Sequence, residues 1–97
     1  MRVTVVVPRA LQRFSDGEGR VDLQLPSTGE ATVATVLTAL AERYPGVRER
    51  TVDERGEVRR HVNVFVGDES VRYADGVATP VPDGAEITIL PAVSGGR

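Results

Sequence analysis

Val33, Val36, Leu37, Leu40, Ala41 and Tyr44 recur at the spacing of one helical face, the clearest helix in this chain. An apolar stripe on a single helix cannot be buried against itself and needs a sheet to cover. Thr32 stands where an N-cap belongs, and Pro45-Gly46 closes the run. Val47 to Val52 read as a short further turn of helix.

The sheet that this helix needs is written on both sides of it. Val3-Thr4-Val5-Val6-Val7 is β-branched and stops at Pro8. Val21-Asp22-Leu23-Gln24-Leu25 alternates with period two, and a long loop with the turn residues Ser15-Asp16-Gly17-Glu18-Gly19 separates the two. After the helix and a polar loop over residues 53–57, His61-Val62-Asn63-Val64-Phe65-Val66 alternates again and stops at Gly67-Asp68. Ser70-Val71-Arg72-Tyr73 reads as a short strand paired back on it. Residues 75–84 are a loop punctuated by Gly76, Pro80, Pro82 and Asp83-Gly84, and Glu86-Ile87-Thr88-Ile89-Leu90 is the last strand, ended by Pro91. Two strand pairs join into one sheet most economically when the first and last strands lie side by side, parallel, at its centre. With one main helix across one face, that is an α+β chain of the β-grasp, ubiquitin-like kind. The expected division is a β-grasp domain over 1–91 and a flexible tail over 92–97.

Composition narrows what such a domain does. At 97 residues with 40% hydrophobic and 27% charged residues, the chain suits one globular core. Its net charge of -2 argues against nucleic acid as a partner. No apolar run reaches the roughly 20 residues of a spanning helix, so no membrane partner is expected, and the N-terminus does not read as a signal peptide. Cysteine is absent, which removes thiolate metal ligands and cysteine nucleophiles and fits a cytoplasmic location. All 12 basic residues are arginine, so lysine Schiff-base chemistry is excluded too.

Catalytic sets are equally thin. His61 is the one histidine, without a second histidine or a cysteine to share a metal, so no metal site is expected. The carboxylates are scattered over loops, and no phosphate-binding glycine motif is completed by a lysine. No catalytic residue is assigned, and no bound cofactor is expected. Strand alternation is more informative. Val3, Val5, Val7, Val62, Val64, Val66, Ile87 and Ile89 point to the core. On the opposite face each of three strands leaves one apolar residue: Val6, Phe65 and Leu90. If those strands are neighbours, the three form a partner-docking patch just upstream of the tail. The tail itself, Ala92-Val93-Ser94-Gly95-Gly96-Arg97, follows the last strand with no loop to return it. A Gly-Gly backbone threads a narrow channel, and a carboxylate at its end is a reagent delivered to another protein's active site.

The run from Asp83-Gly84 through Leu90-Pro91-Ala92-Val93-Ser94-Gly95-Gly96 resembles the C-terminal signature of the ThiS and MoaD type of ubiquitin-like sulfur carriers, and most nearly their CysO branch. The likeness also takes in Val62-Asn63-Val64-Phe65-Val66, Gly67-Asp68-Glu69 and Val71-Arg72-Tyr73. The resemblance implies a protein co-substrate rather than an enzyme. An E1-like adenylyltransferase and sulfurtransferase would activate the carboxylate of Gly96 with ATP, and sulfur would then displace AMP to leave a thiocarboxylate. By position, Gly96 carries the sulfur, while Gly95, Ser94 and Val93 form the thread. Leu90 falls where the family docks on the activating enzyme. The sulfur would pass to an acceptor such as a PLP-dependent cysteine synthase, with a JAMM-type metalloprotease acting afterwards. Molybdopterin, thiamine and sulfur-containing natural products are other destinations.

Arg97 departs from that pattern, because it locks the Gly96 carboxyl in an amide. The expectation is a processing site between Gly96 and Arg97, cut by a protease of the same JAMM type. Two other readings stay open: a ubiquitin-like modifier conjugated to lysines through the same tail, and a β-grasp interaction module whose tail is inert.

Overall fold

Arg2–Val6 forms β1, in which Val3 and Val5 are fully buried while Arg2, Thr4 and Val6 face the other way. The architecture is taken from a computed structural model that describes residues 1–26 and 30–91. β2 (Arg20–Gln24) lies antiparallel to β1, with Val5 opposite Val21. β5 (Glu86–Pro91) lies on the other side of β1 and parallel to it, Val5 opposite Ile87. β3 (Val62–Val66) runs antiparallel to β5, and the two-residue β4 (Glu69–Ser70) closes the edge. The order β2-β1-β5-β3-β4 is that of the expected β-grasp, with the parallel pair inside a mixed sheet.

α1 (Val33–Arg43) begins where the Thr32 hydroxyl accepts the Thr35 N–H, and the Thr35 hydroxyl accepts the Thr32 N–H in return. Its buried residues, Val33, Val36, Leu37 and Leu40, join Val3, Val5, Ile87 and Ile89 in the core. Each such side chain contributes about 1.5–3 kcal/mol by leaving water. Pro45 ends α1 and also opens α2 (Pro45–Thr51), because its fixed φ suits a first helical position and its missing N–H is not needed there. A Cβ on Gly46 would come within 2.9 Å of the Phe14 ring, so glycine lets α2 sit against that ring. Arg50 stacks on it, 3.7 Å from the centroid.

Three segments differ from expectation. The loop between β1 and β2 contains a 3₁₀ helix, Arg9–Phe14, whose Leu11 and Phe14 pack against the core. A further 3₁₀ turn, Gly76–Ala78, interrupts the loop before β5. The strand expected over residues 70–73 stops at Ser70, and Val71–Tyr73 is a 3₁₀ turn. There the Ser70 hydroxyl accepts the Arg72 N–H, a local bond that competes with the strand ladder. The Arg72 guanidinium instead donates to the Val62 carbonyl at 2.7 Å, at the β3 edge. Val66, expected inside, is half buried and packs on the rim of the core. No helix among the described residues is long and apolar enough to cross a membrane.

Candidate functional site

The outer face of the sheet, away from α1, is organised around Thr88. Strand register sets Val6 directly opposite Thr88 on one side and Phe65 directly opposite it on the other. Side chains so paired stand about 5 Å apart at Cβ. Leu90, two residues further along β5, shares their face and lies opposite Asn63. Val6 and Phe65 are half buried, whereas Leu90 is 42% exposed. The structure therefore gathers the three apolar residues onto one face, on three adjacent strands, around a threonine methyl. Polar groups border them. Arg20 pairs with Glu86 at 2.7 Å, and the Thr4 hydroxyl donates to Asp22 at 2.8 Å. Thr88 was not singled out from sequence. Alternation places it on this face, but only the register makes it the centre.

The start of β5 is clamped to β1. The Asp83 carboxylate accepts the Arg2 N–H at 2.8 Å, and the Gly84 N–H donates to the Arg2 carbonyl at 2.7 Å. Gly84 has φ +84, in the left-handed region where a Cβ is strained. At the other end the ladder with β1 stops at Val6 and Thr88, because Pro8 has no N–H to extend it. Beyond that point β5 pairs with β3 alone, up to Pro91 opposite Val62. The expected thread of Val93, Ser94, Gly95 and Gly96, and the Gly96–Arg97 processing site, lie outside the described residues.

Among the titratable groups, Asp53 has a structural role. The backbone N–H of Glu57 holds the Asp53 carboxyl below its ordinary pKa; burial opposes this, while the Arg55 N–H and the charges of Arg55 and Arg59 reinforce it. That carboxylate braces the turn closed by the Val52–Val58 bridge. His61 is exposed, and among the described residues no three potential ligands cluster for a metal.

The sequence matches the ThiS family over residues 10–96. This chain belongs to the ThiS family. It is 40% identical over 98 aligned residues to the sulfur carrier protein CysO of Mycobacterium tuberculosis, covering 99% of this chain and 100% of that protein. It is 34% identical to small archaeal modifier protein 3 of Haloferax volcanii, covering 91% of this chain and 95% of the modifier. Among solved structures, a chain of the Amycolatopsis orientalis BexX/CysO complex superposes with a TM-score of 0.84 at 38% identity, covering 97% of this chain and 99% of that one. In this ThiS-family member the strand that leads into the Gly95-Gly96 motif is the one whose outer face carries Thr88 and Leu90.

Proposed function

We propose that this chain is a sulfur carrier that works as a protein co-substrate. The observation that carries the reading is the place of β5 in the sheet together with its place in the sequence. β5, flanked by Val6 and Phe65 on its outer face, ends at Pro91, and Gly95-Gly96 follow in the sequence after only three residues, so a partner docked on that face is within a few residues' reach of the Gly-Gly segment. The likeness to proteins named as sulfur carriers supports it.

The chemistry asks little of the carrier beyond its carboxylate. The amide between Gly96 and Arg97 is first hydrolysed, by a JAMM-type metalloprotease, which frees the Gly96 carboxylate and releases arginine. A carboxylate oxygen then attacks the α-phosphorus of ATP in the E1-like enzyme, and pyrophosphate leaves. The acyl phosphate is an electrophile where the carboxylate was not. A sulfur nucleophile attacks the acyl carbon, AMP departs, and the terminus becomes a thiocarboxylate. That sulfur passes to an acceptor enzyme such as a PLP-dependent cysteine synthase. ATP-driven activation assigns the work to the cytoplasm.

The test is intact mass after incubating the chain ending at Gly96 with ATP, an E1-like enzyme and a sulfide source. The expected gain is about 16 Da, oxygen replaced by sulfur on an activated acyl group. The form retaining Arg97 is expected to remain unchanged. A gain on the Arg97 form, or none on either, overturns the reading. A modifier function has its own support in the similarity to small archaeal modifier protein 3. Protein adducts in place of the mass gain would favour it, and full activity after removal of both glycines would favour an interaction module with an inert tail.

A further inference from the structure

Only β3 pairs with the end of β5. The register with β1 stops at Val6 and Thr88, whereas Leu90 and Pro91 lie opposite Asn63 and Val62. Among the described residues, the other edge of this part of β3 has no strand beside it, because β4 pairs with Phe65 and Val66 alone. A two-stranded ribbon is marginal in water, so the strand end that precedes the Gly-Gly segment calls for further support.

The ladder geometry shows where that support acts. The Gly67 N–H donates to the Glu86 carbonyl at 2.9 Å, which makes these two a hydrogen-bonded pair. Counted along the antiparallel ladder, Phe65–Thr88 and Asn63–Leu90 are hydrogen-bonded pairs too, and Val62–Pro91 is not. Pro91 therefore takes no bond from the ladder by lacking an N–H, and both backbone groups of Val62 turn away from β5. The Val62 N–H donates to the Arg59 carbonyl at 3.0 Å, and the Val62 carbonyl accepts the Arg72 guanidinium at 2.7 Å. The same guanidinium nitrogen reaches the Arg60 carbonyl at 3.4 Å. Arg72 is exposed, so water competes for these carbonyls, but the arginine starts from a fixed point. Its neighbour Val71 is 1% exposed in the core, and the Ser70 hydroxyl accepts the Arg72 N–H. A charge-assisted donor anchored on the core thus occupies the edge where a strand is missing.

We propose that Arg72 is a positioning residue for the end of β5, and through it for delivery of the Gly96 carboxylate to the activating enzyme. It acts through β3: holding Val62 and Arg60 keeps the first half of β3 in place, and that half keeps Leu90 and Pro91 in place. The part played in delivery rests on the sulfur-carrier reading; the hold on Leu90 does not. Docking uses Val6 and Phe65, whose strands stay paired without Arg72, so its loss bears on turnover more than on binding. A reacting group held from a loosened root spends less time in attacking position.

The experiment compares the parent with Arg72→Met, which keeps the side chain's apolar stem and loses its donors, and with Arg72→Lys, which retains one charged donor. Amide hydrogen exchange of the full chain is read at Asn63 and Leu90, with Val5 in the sheet centre as reference. Arg72→Met should lower protection at Asn63 and Leu90 about 10-fold, the loss of one charge-assisted bond, and leave Val5 unchanged. Pyrophosphate release by an E1-like enzyme is then measured with each chain ending at Gly96. Arg72→Met should lower kcat at least ~5-fold with KM within threefold of the parent, and Arg72→Lys should restore part of both the protection and the kcat. Exchange that rises equally at Val5 and Leu90, or at neither, overturns the proposal. So does an unchanged kcat, or a lysine variant no better than methionine. If no chain ending at Gly96 releases pyrophosphate, it is the sulfur-carrier reading that falls, and the exchange comparison alone decides whether Arg72 positions Leu90.

Discussion

Replacing Leu90 by alanine separates docking from folding with numbers that the structure supplies. Leu90 is 42% exposed, so 58% of its surface is already covered by the fold. Complete burial of a leucine side chain contributes about 1.5–3 kcal/mol, so the exposed share leaves about 0.6–1.3 kcal/mol for a partner to recover. That is about a 3- to 9-fold rise in the KM for the carrier. The covered share limits the cost to folding to about 0.9–1.7 kcal/mol, or roughly 4–13 °C in Tm for a domain of this size. A stability of about 5–15 kcal/mol absorbs this, so the variant remains folded at assay temperature. The assay is pyrophosphate release by an E1-like enzyme, with the chain ending at Gly96 as varied substrate, alongside thermal denaturation. Leu90→Asp carries the same logic further, since docking would bury a carboxylate without a partner, and KM should rise well beyond the alanine value. If both variants retain a KM within twofold of the parent while Tm falls as calculated, the outer face is not where the activating enzyme docks.

Other substitutions test the scaffold. Asp83→Ala removes the acceptor of the Arg2 N–H and should cost about 1 kcal/mol, read as a lower midpoint in urea with an unchanged slope. Thr32→Ala removes the hydroxyl that accepts the Thr35 N–H at the start of α1, leaves the bond from the Thr32 N–H to the Thr35 hydroxyl, and should cost about 0.5–2 kcal/mol in the same assay. Asp53 has a folded pKa below its unfolded one, so its contribution is present in full above the unfolded value near pH 4 and is lost as pH falls through the folded value. Asp53→Asn should therefore flatten the acid limb of the stability curve, and an unchanged limb would mean that the turn over residues 53–57 does not report on folding.

The readable parts of this protein were those encoded by local period. The stripe from Val33 to Tyr44 and the alternation in β1, β3 and β5 need only the geometry of a helix or strand to be interpreted. The segments that departed from expectation obey other forces. Arg9–Phe14 has no apolar period of its own, and its form follows from Phe14 packing against Gly46 and Arg50, residues of a distant helix. Residues 70–73 have strand-like composition, but one serine hydroxyl and one arginine reaching the Val62 carbonyl turn the chain away.

The same division runs through the candidate site. Alternation alone dictates that Val6, Phe65 and Leu90 leave the core, because a strand turns successive side chains to opposite sides. It says nothing of which residue stands beside which. Only the register of β5 against β1 and β3 sets Val6, Thr88 and Phe65 in one row with Leu90 next to it. The sequence by itself therefore determined the faces and the Gly-Gly motif, and the tertiary structure decided the neighbours, because side-chain direction is a local property of the backbone and adjacency is not.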